Sequence, residues 1–95
     1  MRLVWSRLAT AELREVRRYS VERWGTLVAV TYLSDLRDAA KQVARDPRHA
    51  RPLRDGWHIR RVRSHYLVVT IDREADTLTI ARVLHVARNL DRHLP

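Results

Sequence analysis

A single glycine set between two long helical repeats constrains this chain more than any other feature. Ahead of Gly25, the residues Ala9, Leu13, Val16, Ser20 and Trp24 recur at helical spacing, with Ser6 placed to cap the first turn. Beyond it, Ala29, Leu33, Leu36, Ala40 and Val43 fall on one face of a second helix, and Arg37, Asp38, Lys41 and Gln42 lie off that face. Gly25 suits the left-handed stop of the first helix, Thr26 can cap the second at once, and Asp46-Pro47 ends it. Helices joined by so short a link fold back as an antiparallel hairpin.

The remaining segments read as strands. Leu3-Val4-Trp5 is a short first strand, and Arg48 to Gly56 is a basic loop punctuated by Pro52 and Gly56. Trp57 to Arg63 is a strand with Trp57, Ile59 and Arg61 on one face, and Ser64-His65 turns the chain. Tyr66 to Ile71 is apolar on both faces, as a central strand is. Asp72 to Asp76 makes a hairpin loop, Thr77 to Ala87 the last strand, and Asn89 to Leu94 a short tail or helix. In the last strand Leu78, Ile80, Leu84 and Val86 form one row that Arg82 interrupts, with His85 on the opposite row. A guanidinium in an apolar row needs an anionic or polar partner, a carboxylate such as Asp91 or Asp72. The expected architecture is one α+β domain over residues 1–95: an N-terminal strand, an antiparallel helical hairpin, a three-stranded antiparallel sheet and a short C-terminal tail or helix.

Composition narrows the function. A chain of 95 residues buries about 65% of its unfolded surface, and with no Phe its large apolar payload falls to Trp5, Trp24 and Trp57 with Tyr19, Tyr32 and Tyr66. The absence of cysteine excludes disulfides and thiolate metal sites. No stretch reads as a signal peptide or a membrane span, so the cytoplasm is the expected compartment. Nineteen basic residues against eleven acidic give a net charge of +8, and all but one of the basic residues are arginine. Residues 45 to 65 hold seven arginines against Asp46 and Asp55, a local +5, joined by His49, His58 and His65. Such a patch attracts nucleic acid or an acidic protein segment, although the helices offer no exposed row of base-reading residues. There is no histidine pair at metal-ligand spacing, no glycine-rich phosphate loop and no Ser/His/Asp set, so neither metal nor cofactor is expected.

Taken in order, Ala11-Glu12-Leu13-Arg14-Glu15-Val16-Arg17-Arg18-Tyr19, Glu22-Arg23-Trp24-Gly25, Ala29, Tyr32-Leu33, Asp46-Pro47, His65-Tyr66, Arg82-Val83-Leu84-His85 and Asp91 resemble the ParE branch of the RelE/ParE toxins. The resemblance runs from about Trp5 to Leu94. It implies a small basic α+β toxin of a toxin–antitoxin pair, held in a hetero-oligomer by a cognate ParD-like antitoxin. An acidic or amphipathic segment of that antitoxin would wrap the hairpin and sheet, with Leu33, Leu36, Arg60, Arg61 and Arg63 as its expected contacts. RelE-like members cut mRNA on the ribosome, whereas ParE-like members act against DNA gyrase.

The residues favour the second chemistry. RNA cleavage needs a base for the 2′-hydroxyl, an acid for the leaving oxygen and cations for the phosphate. Arg61 and Arg82 could supply the cations, and His85 the base or the acid. RNA-cutting relatives add lysines or a glutamate after the hairpin and a tyrosine near the C-terminus. Here there is no lysine after Lys41, no glutamate between Arg45 and His65 and no tyrosine after Leu84. His65, placed in a turn, and His58, on a strand edge, are the substitutes left. The expectation is therefore a toxin that binds its target through Arg61, Arg82, His85, Arg88 and Asp91, with DNA gyrase as that target. A ribosome-dependent endoribonuclease using Arg61, Arg82 and His85 is the alternative.

Overall fold

The computed structural model describes residues 1–94. Strand β1 (Arg2–Trp5) leads into helices α1 (Arg7–Trp24) and α2 (Thr26–Arg45). After a short 3-10 turn (Pro47–His49) come β2 (Arg51–Arg54), β3 (Trp57–Val62), β4 (His65–Asp72) and β5 (Thr77–His85), and a one-turn helix α3 (Leu90–His93) closes the chain.

The hairpin forms where the periodicity places it. Ser6 Oγ accepts the Ala9 N–H at 2.9 Å, which caps α1, and donates to the Ala81 carbonyl at 2.8 Å, which ties the start of α1 to β5. Gly25 has φ +90° and ψ 168°, a conformation that side chains with a Cβ avoid. Its N–H closes α1 on the Val21 carbonyl, and its own carbonyl accepts the first bond of α2 from Ala29. One glycine thus ends one helix and begins the next, so Thr26 is already helical and makes no side-chain cap.

The sheet is larger than expected, with five strands in the order β1-β5-β4-β3-β2. β1 pairs parallel with β5, and the other neighbours are antiparallel. β2 lies inside the segment read as a loop, since a four-residue strand carrying Pro52 has no alternation to recognise, and proline is tolerated only at such an edge. His65 opens β4, and the turn is made one step earlier by Arg63 (φ +51°) and Ser64.

A bulge splits the apolar row of β5. Val68 pairs with Arg82 and Val69 with Ile80, so Ala81 is the extra residue. Leu78 and Ile80 before it, and Val83 after it, join Leu33, Leu36, Ala40, Val43, Leu67 and Val69 beneath the hairpin. Leu84 turns to the opposite face, where Ile59, Val68 and Leu94 form a second cluster with Trp57, Tyr66 and Leu90 around it. Two aromatic residues expected in the core are outside it. Trp24 and Tyr19 are 53% and 58% exposed and meet each other edge-on at 5.8 Å. The helix stop at Gly25 leaves them at the far end of α1, and smaller aliphatic residues fill the core in their place.

Candidate functional site

β1 stops at Trp5, opposite Ile80, so the edge of β5 from Ala81 onward has no strand beside it. Glu12 of α1 takes that place. Its Oε1 accepts the Val83 N–H at 2.9 Å, and its carboxylate takes Arg82 Nε at 3.1 and 3.2 Å and Nη2 at 2.9 Å. Arg82 Nη1 donates to the His93 carbonyl at 2.8 Å. The side chains are only 18% and 19% exposed, so the guanidinium is met by a largely buried carboxylate from 70 residues away, not by Asp72 or Asp91.

Beyond this clamp, the second half of α1, Tyr32 of α2 and the adjoining ends of β4 and β5 enclose a groove of about 860 Å³. Val16, Tyr19, Trp24 and Val83 give it apolar walls, and Glu15, Arg18, His65, His85 and Arg88 give it polar ones. His65 and His85 are register partners whose rings meet edge-on at 5.3 Å. Tyr32 Oη lies 2.6 Å from His65 Nδ1, accepts the Ser64 N–H at 3.2 Å and lies 3.3 Å from the Val62 carbonyl. His85 Nδ1 accepts the Ala87 N–H at 3.0 Å. Burial, and secondarily the neighbouring His85, pushes His65 down to about 4. Burial likewise holds the Tyr32 phenol above its ordinary value. The trio is therefore neutral near pH 7 at His65 and Tyr32.

The structure distributes the expected site residues over several surfaces. His85 and Arg88 line the groove. Arg61 lies on the opposite face of the sheet, paired with Tyr66, and its Nε donates to the Arg63 carbonyl at 2.8 Å. Asp91 is on α3, ion-paired to Arg54 at 3.2 Å. Arg60 points under the hairpin, donating to Gln42 at 2.8 Å and the His49 carbonyl at 3.1 Å. Arg63 pairs with Asp35 at 2.6 Å and sits 5.6 Å from the centre of the Tyr32 ring. Leu33 and Leu36 are 2% and 0% exposed, in the core and out of a partner's reach. The apolar residues that the hairpin does present are Tyr19, Trp24, Leu27, Val28 and Val30 near its tip. Sequence reasoning gives neither Tyr32 nor Glu12 a place in a site. Tyr32 stands one position before Leu33 on the apolar stripe, and nothing local marks Glu12.

Among the described residues no three His, Cys, Asp or Glu side chains gather as a metal site would require, and no helix is long and apolar enough to cross a membrane.

This fold has known counterparts. Residues 3–90 match the family model described as the ParE toxin of the type II toxin–antitoxin system parDE. The chain belongs to that family. It is 33% identical to the toxin ParE1 of Mycobacterium tuberculosis over 96 residues, covering 98% of this chain and 97% of that toxin. The toxin ParE1 of Caulobacter vibrioides is 34% identical over 92 residues, covering 94% and 93%. Among solved structures, a chain of the chromosomal ParDE toxin–antitoxin system from P. aeruginosa superposes with a TM-score of 0.80 at 20% identity, covering 90% of this chain and 96% of that one. The α+β architecture is thus that of a type II toxin.

Proposed function

We propose that the chain is neutralised by a cognate ParD-like antitoxin in the cytoplasm and inhibits DNA gyrase by binding, not by cutting RNA. The observation that carries the antitoxin half is the exposed apolar tip of the hairpin. Leu27 is 81% exposed, with Trp24, Val28 and Val30 beside it, on helices whose inner faces already fill the core. An amphipathic antitoxin segment covers that strip, its carboxylates meeting Arg63 and the surrounding positive surface.

The arrangement of the cations supports binding over cleavage. The guanidinium of Arg82 is spent on Glu12 and His93, and Arg61 and His85 point from opposite faces of the sheet. The three groups a nuclease would need therefore do not converge on one phosphate. His85 and Arg88, with Arg61 around the same end of the sheet, form the target surface, and Asp91 lies further off on α3. The endoribonuclease reading gains one observation of its own: the fold brings His65 and Tyr32 beside His85, so a second proton-transfer group adjoins it.

Expression of the chain alone separates the two. Filamentation and a DNA-damage response, with protein synthesis continuing for a time, are expected, and purified protein is expected to impair gyrase supercoiling. Cuts in ribosome-bound mRNA that disappear with His85→Ala would replace this reading with the nuclease one.

A further inference from the structure

We infer that His85, with Arg88 beside it, forms a docking point for one carboxylate of the partner segment, seated in the groove between α1 and the ends of β4 and β5. The inference rests on the antitoxin reading and adds the residue chemistry that holds the partner.

A hydrogen bond to the ring of His85 decides where its proton sits. A backbone N–H can only donate, so the bond from Ala87 makes His85 Nδ1 an acceptor and places the proton of the neutral ring on Nε2. Tyr32 donates to the Val62 carbonyl at 3.3 Å and lies 2.6 Å from His65 Nδ1, which ties the His65 ring into the wall beside His85. His85 Nε2 has no hydrogen-bond partner among the described residues. The groove wall thus offers an uncommitted N–H donor on His85 next to the Arg88 cation, and an ionised carboxylate is an acceptor with two oxygens. A metal ion would require the reverse pattern, with a lone pair on Nε2 and an N–H on Nδ1.

The rest of the lining selects a protein partner over a nucleic acid. Glu15 stands on the groove wall and holds Arg18 at 2.6 Å, which leaves Arg88 as the cation beside the histidines. A phosphate chain would bring repeated negative charge against Glu15. An amphipathic helix brings a single carboxylate among apolar side chains, which the exposed Tyr19 and Trp24 receive.

The test uses the intact chain and the protein encoded by the adjoining reading frame. His85 is exposed, so His85→Ala folds normally, and its affinity for that protein is expected to fall about tenfold or more, as for a hydrogen bond to a charged group. In a double-mutant cycle, one Asp or Glu of the partner should couple to His85, and imidazole ¹⁵N spectra of the free chain should show His85 protonated on Nε2. Additive behaviour for every acidic residue of the partner, or an Nδ1–H tautomer at His85, would overturn the inference. A single-stranded RNA oligonucleotide bound by the chain and lost with His85→Ala would overturn it in favour of a nucleic-acid site. If the partner binds wild type and His85→Ala alike, only the docking point fails, whereas a partner that binds neither removes the antitoxin reading as well.

Discussion

Removing the carboxylate of Glu12 should unfold this protein more readily than any surface change of the same size. In Glu12→Ala, three contacts to the Arg82 guanidinium and one to the Val83 N–H are lost together. Breaking a buried ion pair from one side costs about 3–5 kcal/mol. These side chains keep nearly a fifth of their exposure, so water compensates part of the charge, and about 2–4 kcal/mol is expected once the orphaned N–H is included. Glu12→Gln keeps an amide oxygen for Val83 but loses the charge and turns an NH2 donor towards Arg82, so it should still cost about 1–2 kcal/mol. Urea melts measure both, as a lower midpoint at unchanged slope. Losses below about 0.5 kcal/mol for both variants would refute the argument that this carboxylate substitutes for a strand at the β5 edge. The same melts decide how Arg82→Ala is read. Lost toxicity with lost stability marks a structural role, and lost toxicity at full stability marks contact with the target.

Three further outcomes follow from the fold. Leu33→Ala empties a fully packed position and should cost about 2–5 kcal/mol in the same melts. Gly25→Ala meets no atom within 4 Å, so its whole effect is backbone strain at φ +90°, about 1–3 kcal/mol, read as a lower melting temperature. Acidification should weaken the fold through His65, whose value is about 4 when folded against an ordinary 6.5 for the unfolded chain. Between those values the unfolded chain binds the proton and the folded one does not, so stability falls as pH drops from 6.5 towards 4. The full shift would amount to about 3 kcal/mol, but the ring is only half-buried, and with solvent screening about 1–2 kcal/mol is expected. His65→Gln should flatten that part of the pH–stability curve, and an unchanged curve would count against the assignment.

The helical hairpin was legible because its 3.6-residue period runs uninterrupted on both sides of Gly25. The central strand was legible because Leu67, Val68 and Val69 are buried on both faces, and a two-sided apolar run says so directly. The bulge at Ala81 was not. Leu78, Ile80, Leu84 and Val86 keep a perfect period of two straight through it, and only the pairing with β4 reveals the slip. Arg82 was recognisable as needing a partner, but Glu12 lies too far away in sequence for any local pattern to name it. The groove trio was illegible for the same reason: Tyr32, His65 and His85 are solitary residues brought together by register and by the packing of α2. Trp24 illustrates the opposite error, since its position on the apolar stripe predicted burial, and only the extent of the sheet determines where that stripe runs out.

The parallel pairing of β1 with β5 joins the first strand of the chain to the last. A chain that emerges from the ribosome in order makes its hairpin early and the strands that cover it late. The roughly forty residues from Arg45 to His85 take about 2–8 s to add at about 5–20 residues per second. During that interval Leu33, Leu36 and Val43 have no sheet to rest on, and β1 has no neighbour at all. The nascent toxin is therefore incomplete until almost its whole length has been synthesised, and the same uncovered helices are open to any chaperone or newly made partner nearby.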